Sequence, residues 1–169
     1  LTAVQMTAQR DGWEVTEQGI REALKKVWLP GRFEVRTIKN KTVILDGSHN
    51  PQKVQALVET FQRAYPDKKA TLVMAMGKNK AARDVFTLLE PIAKEIICTD
   101  FFTEMQDFLH KAFRPEYLAH IINETTAIPT VVAESQKEAT RLALASDSDV
   151  ILITGSFRSE ERRVGKECL

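Results

Sequence analysis

Cysteine is scarce in this sequence, long apolar runs are missing, and neither sign of charge dominates. The two cysteines, Cys98 and Cys168, lie far apart and form no C-x-x-C pair. They offer neither a disulfide framework nor a paired-thiol motif, so a reducing compartment, the cytoplasm, is the expected location. Cys98 sits in the apolar run "EIICT" and is expected to be a buried, reduced thiol. No apolar run approaches the roughly 20 residues that span a bilayer, and the opening "LTAVQMTAQR" lacks the basic-then-apolar order of a signal peptide. Lys and Arg number 24 against 23 Asp and Glu, which leaves no bulk electrostatic attraction to nucleic acid or an anionic membrane. His49, His110 and His120 are too scattered to read as a metal-ligand set. No G-x-G-x-x-G opens the first α/β helix, which argues against a dinucleotide-binding dehydrogenase.

What is there is an ordinary globular composition, 43% hydrophobic and 28% charged over 169 residues, enough for one domain and a short extension. The first residue is Leu1, which suggests a fragment or a processed product. Residues 1–28 read as helical: Thr16 is a candidate N-cap, and Ile20, Ala23, Leu24 and Val27 follow at helical spacing. "LPGR" at 29–32 breaks that pattern and marks a domain boundary. Beyond it strands alternate with helices. "FEVRTI" (33–38) and "TVILD" (42–46) flank a turn-like "KNK", and a helix from Pro51 carries Val54, Leu57, Val58 and Phe61 on one face. "ATLVMAM" (70–76) is continuous enough to be a strand covered on both sides. A second helix carries Val85, Leu88, Leu89 and Ile92, with Pro91 bending or ending it. "EIICT" (95–99), a two-piece helical stretch over 100–123, "PTVVA" (129–133), the helix "ESQKEATRLALAS" and the strand "VILIT" (150–154) complete the series. This order predicts an α/β fold, a Rossmann-like, mostly parallel sheet flanked by helices. From Arg158 the stretch "RSEERRVGKECL" has almost no apolar content. It is expected to be a polar tail over 158–169, disordered or foreign to the fold.

The most informative stretch is "ILDGSHNP", Ile44 to Pro51. Ile44 and Leu45 end a buried strand. Asn50 is a good N-cap and Pro51 suits the first helical position. Asp46 to His49 therefore bridge a strand's C-terminal end and a helix N-terminus, the place where open α/β sheets bind ligands. The helix end favours a phosphate or carboxylate, and Asp46 suits ribose hydroxyls. The same residues also suit a plain structural turn, and spacing alone leaves both readings open. "MGKNK" (76–80) and "ITGSF" (153–157) end two further strands. In a parallel sheet all three turns share one edge.

In this order and spacing, "LPGRFEV", "ILDGSHNP" and "LITGS" resemble the C-terminal domain of folylpolyglutamate synthase/dihydrofolate synthase, within the Mur ligase superfamily. The resemblance covers about residues 1–157. It implies that 1–28 are the last helices of a preceding ATPase domain and that 29–157 form a Mur ligase C-terminal, glutamate-ligase domain. It implies an ATP- and Mg²⁺-dependent ligase forming a carbon–nitrogen bond, with ATP, L-glutamate and a folate or dihydropteroate as partners. By the same resemblance Arg32, Asp46 and Asn50 are expected to be ATP-binding. His49 and Ser156 are expected on the glutamate, and Lys80 on a possible substrate loop.

The sequence also departs from that family. Asn79 and Ala81 flank Lys80 where acids are common, and a proline-arginine segment is missing after "CTDFF". No G-x-x-x-x-G-K-[ST] occurs: Gly77-Lys78 lacks the earlier glycine and Gly165-Lys166 is followed by Glu167. The phosphate loop and the main Mg²⁺ ligands are therefore expected in an N-terminal domain outside this chain, and the chain alone is expected to be inactive. Two alternatives remain: a Mur-type peptidoglycan ligase domain, and a non-catalytic remnant that only binds.

Overall fold

The computed structural model describes residues 2–27, 29–78, 81–100 and 112–155. Two short helices come first, α1 (Thr2–Asp11) and α2 (Glu17–Lys25). Thr16 caps α2 as its sequence position predicts, its Oγ1 accepting the Gly19 amide at 3.0 Å. No residue of α2 is buried.

After the "LPGR" break the chain forms a hairpin of β1 (Glu34–Ile38) and β2 (Lys41–Asp46). The turn between them is Lys39 and Asn40, both left-handed at φ 48° and 63°. A two-residue turn of that hand matches the natural twist of paired strands. Then come α3 (Pro51–Ala64), β3 (Ala70–Ala75), α4 (Ala82–Leu89), β4 (Ala93–Cys98), α5 (Pro115–Thr125), β5 (Thr130–Val132), α6 (Gln136–Ala145) and β6 (Val150–Gly155). One expected boundary moves. Pro91 cannot continue a helical ladder, so α4 stops at Leu89 and the buried Ile92 plugs the turn into β4. The second piece of the helical stretch expected over 100–123 is α5, which starts at Pro115, and before it Ala112 makes an antiparallel bridge to Gly77. Residues 101–111 lie outside the described residues.

The six strands form one sheet in the order β1-β2-β6-β3-β4-β5. Only β1 runs antiparallel to its neighbour. The connections β2 to β3, β3 to β4 and β4 to β5 advance across the sheet in one direction, and β5 to β6 returns. Crossovers between parallel strands are right-handed, so the advancing and returning helices must cover opposite faces. They do. Phe61 of α3, Phe86 of α4 and Leu118 of α5 share one core with Ile44, Leu72, Met74 and Ile96. Ala139 and Ala143 of α6 share the other with Val43, Val73, Ile97 and Ile151. β3 lies between both cores and is buried along its whole length, which explains its unbroken apolar sequence. Cys98 is buried as expected, and burial pushes its thiol up to about 12. Among the described residues no helix is long and apolar enough to cross a membrane.

The unequal depth of these layers is testable. Phe86→Ala, at a fully buried position, should destabilise the chain by about 3–5 kcal/mol. Val131→Ala, on the exposed edge strand β5, should change stability by no more than about 0.5 kcal/mol. Urea unfolding of the two variants checks both, and equal losses would contradict the layer assignment.

Candidate functional site

The sheet brings the motif-bearing strand ends to one place. β6 lies between β2 and β3, with Asp46 level with Thr154 and Ala75 level with Gly155. Asp46, Gly155 and Ala75 are the last residues of β2, β6 and β3, so the motif-bearing ends of three adjacent strands lie at the same C-terminal edge. Of the sequence-predicted residues, Arg32, Asp46, His49 and Asn50 belong to the described structure. Lys80 and Ser156 lie outside the described residues.

Asp46 ends β2 and is 6% exposed. Its Oδ2 accepts the Phe33 amide at 2.8 Å and its Oδ1 the Ser48 amide at 2.8 Å. One carboxylate thus closes its own turn and fastens that turn to the "LPGRF" loop 13 residues earlier. Charged acceptors make strong bonds to backbone amides, so this clasp outweighs an ordinary turn contact. Ser48 donates from Oγ to the Lys53 carbonyl at 3.2 Å, and Thr154 of β6 donates to the Ser48 carbonyl at 3.2 Å. Asn50 caps α3, its Oδ1 accepting the Lys53 amide at 3.0 Å with Pro51 at the helix start. The local reading of this turn as strand end, cap and helix start is thereby met.

His49 is half-buried. Its Nδ1 lies 2.8 Å from the Gly47 carbonyl. A carbonyl only accepts, so Nδ1 carries the proton and the neutral ring has its lone pair on Nε2. This fixes both the ring's orientation and its tautomer.

Arg32 is exposed and comes from the loop before β1. Its Nη1 donates to the Gly31 carbonyl at 3.1 Å, and that carbonyl also accepts the Gly47 amide at 2.8 Å. The guanidinium lies directly over Gly47: an added Cβ there would stand 2.6 Å from Nη1. The cation therefore sits at the start of the "GSHN" turn. Glycine at 47 is what permits the approach.

Three features of this edge escape sequence reasoning. Glu34 is 7% exposed; its Oε2 accepts the Gly31 amide at 3.0 Å and its Oε1 the Arg36 Nε at 2.7 Å. Burial acts to raise its pKa, yet the Gly31 amide and the Arg36 guanidinium together outweigh burial and hold it below the ordinary carboxylate value. In the sequence Glu34 is merely one member of an alternating strand. Gly155 ends β6 at φ 120°, and a Cβ there would stand 2.0 Å from the Ala75 carbonyl oxygen. Thr99 follows β4 at the same edge, 4% exposed, and its Oγ1 has no hydrogen-bond partner among the described residues. A shallow concavity along α2, lined by Glu17, Arg21 and Lys25 among others, holds none of these groups. Among the described residues no group of three His, Cys, Asp or Glu gathers in a way that could hold a metal ion.

Comparison with known proteins follows the same outline. A family model described as "Mur ligase, glutamate ligase domain" matches residues 31–157. A dihydrofolate synthase/folylpolyglutamate synthase from Haemophilus influenzae is 27% identical over 170 residues, covering 87% of this chain and 37% of the relative. The protein of that name from Bacillus subtilis is 30% identical over 87 residues, covering 52% of this chain and 20% of the relative. Among solved structures, E. coli FolC in complex with DHPP and ADP superposes with a TM-score of 0.70 at 24% identity, over 90% of this chain and 34% of that one. A Yersinia pestis bifunctional folylpolyglutamate synthase/dihydrofolate synthase complexed with AMPPNP and Mn ion gives 0.67 at 22% identity, over 85% and 32%. The chain thus spans about a third or less of the length of these relatives.

Two outcomes follow from the site's geometry. Gly155→Ala should lose more than about 1 kcal/mol of stability, because strained φ and a backbone clash coincide there. Gly77→Ala, with nothing within 4 Å of the added carbon, should be nearly neutral in the same thermal melt. For Glu34 the folded carboxyl titrates below its unfolded value. Its stabilisation is therefore full above the ordinary value of 4.5 and is lost as pH falls through the lower folded value. The stability advantage of the wild type over Glu34→Gln should shrink across that acid window; a difference independent of pH would contradict the ion pair.

Proposed function

The chain belongs to the Mur ligase, glutamate ligase domain family, and on that premise we propose that it is the C-terminal part of an ATP-dependent ligase adding L-glutamate to a folate or dihydropteroate. One observation carries the reading: the motif-bearing ends of three adjacent parallel strands lie at one edge, with the Arg32 guanidinium laid over the turn that follows β2. The relatives' names and the nucleotides in their solved structures support the same direction.

The proposed reaction forms one amide bond. A phosphoryl group passes from ATP to the folate carboxylate, and ADP leaves. The glutamate amine then attacks the activated carbonyl carbon, and phosphate leaves with the carboxyl oxygen. The contribution of this chain is charge placement and orientation. Arg32 faces the phosphates as a fixed cation. Asn50, through the helix start it caps, lies on the nucleotide side. Asp46 can offer a ribose hydroxyl only the lone pairs that the Phe33 and Ser48 amides do not engage. His49, its tautomer set by the Gly47 carbonyl, helps hold the incoming glutamate, together with Ser156. Lys80 serves the substrate loop.

The described residues fit a nucleotide better than a metal. A cation, a capped helix start and a buried carboxylate meet at this edge, whereas no three metal-ligating side chains gather among the described residues. By the family resemblance, magnesium and the phosphate loop are assigned to an N-terminal domain. That domain would also cover the apolar side chains that α1, α2 and the following loop leave exposed: Met6, Trp13, Leu24, Val27 and Leu29 are each more than half exposed.

The expected outcome is simple. The chain alone, with ATP, Mg²⁺, dihydropteroate and glutamate, should release no phosphate above blank. Adding the N-terminal half of a folylpolyglutamate synthase should restore turnover, and His49→Ala in the restored pair should raise KM for glutamate more than KM for ATP. Turnover by the chain alone would refute the division of the site. A restored pair active on peptidoglycan precursors and not on folates would favour the Mur-type alternative, and no restoration at all would favour a binding remnant.

A further inference from the structure

The loop that carries Arg32 is unusual in its backbone. Gly31 and Phe33, on either side of the arginine, are both left-handed, at φ 64° and 47°. For glycine this conformation carries little strain; for phenylalanine it is unfavourable. Such residues persist only where the surroundings over-determine them. Here each one has its amide hydrogen held by a buried carboxylate. Gly31 donates to Glu34 Oε2 at 3.0 Å, and Phe33 donates to Asp46 Oδ2 at 2.8 Å. Glu34 and Asp46 are 7% and 6% exposed. Glu34 is itself steadied by Arg36, whose Nη2 lies 2.6 Å from Oε1. The Gly31 carbonyl then receives both the Gly47 amide and the Arg32 guanidinium.

We propose that Glu34 is a positioning residue: with Asp46 it pins the two left-handed residues flanking Arg32 and so holds the guanidinium over the "GSHN" turn. Glu34 need not touch a ligand to do this. It lies two residues beyond Arg32 and acts through the Gly31 peptide, whose carbonyl is the guanidinium's acceptor. Asp46 alone fixes only one side of the arginine. The consequence for nucleotide binding rests on the proposed reading of Arg32 as phosphate-facing; the positioning itself does not.

Amide hydrogen exchange on the chain as it stands tests the positioning without any ligand. In Glu34→Ala the amides of Gly31, Phe33 and Gly47 should exchange about tenfold faster or more, while those of Leu72 and Ile96 in the sheet keep their rates. Glu34→Gln keeps a carbonyl acceptor for the Gly31 amide and should recover most of the protection; it also serves if the alanine variant folds poorly. Unchanged exchange in the loop, or equal acceleration throughout the sheet, overturns the proposal. A second measurement compares the chain's affinity for ADP and for adenosine. If Arg32→Ala and Glu34→Ala both erase a preference for ADP, both readings stand. If only Arg32→Ala erases it, positioning by Glu34 is overturned. If Arg32→Ala leaves the preference intact, or the chain binds neither compound, it is the phosphate reading of Arg32 that lacks support, and the exchange rates alone decide the role of Glu34.

Discussion

The candidate site depends on one carboxylate. Asp46 stands at the end of a buried strand, and each of its oxygens accepts a backbone amide, one from its own turn and one from the loop before β1. The carboxylate is 6% exposed, and in such surroundings charge-assisted hydrogen bonds are strong and an unmet buried group is costly. Asp46 is the side-chain link between the "LPGRF" loop and "DGSHNP", beside the backbone bond from the Gly47 amide to the Gly31 carbonyl. The hairpin β1–β2 makes the contact feasible by returning the chain antiparallel, so that Glu34 pairs with Leu45. Asp46 then meets Phe33 across the open end of the hairpin.

The sheet supplies the second constraint. A strand that returns through α6 and slots between β2 and β3 puts the last motif beside the first, although more than 100 residues separate them. The fit is tight enough to exclude a side chain at Gly155, where the Ala75 carbonyl oxygen lies within 2.0 Å of an added Cβ. At the opposite end of the sheet, Thr71 shares hydrogen bonds with Glu95 and Ser148, and Lys41 Nζ donates to the carbonyls of Ser146 and Ser148. Those contacts close that edge with polar groups already paired among themselves. The C-terminal edge differs: it presents an exposed arginine, an imidazole oriented by the Gly47 carbonyl and, at Thr99, a buried hydroxyl with no partner among the described residues.

Strain and rigidity are linked here. The left-handed Phe33 is unfavourable in isolation, and the two carboxylates that bind the loop amides keep it in place. A cation on such a loop has fewer orientations to lose when it meets a phosphate, which is the physical content of pre-organisation. The N-terminal helices show the opposite condition. Their apolar side chains are largely exposed and α2 buries nothing.

Much of this was legible in the sequence because it is local. The period of apolar residues marks α3 and an unbroken apolar run marks β3, Thr16 and Asn50 sit where caps belong, and the strand–helix alternation specifies a mostly parallel sheet. The family could be read from three motifs in order. Side-chain partners over distance were not legible. Asp46 reads equally as a ribose ligand or a turn former, and only the folded chain shows both its oxygens engaged by backbone amides. Glu34 looks like one more alternating strand residue until the hairpin closes and Gly31 turns its amide toward it. Periodicity and capping are set by neighbours within a few residues, so the sequence by itself determined the elements and their class. Which strands adjoin, which carboxylate meets which amide, and where the Arg32 charge rests depend on contacts between distant segments, and those only the tertiary structure decided.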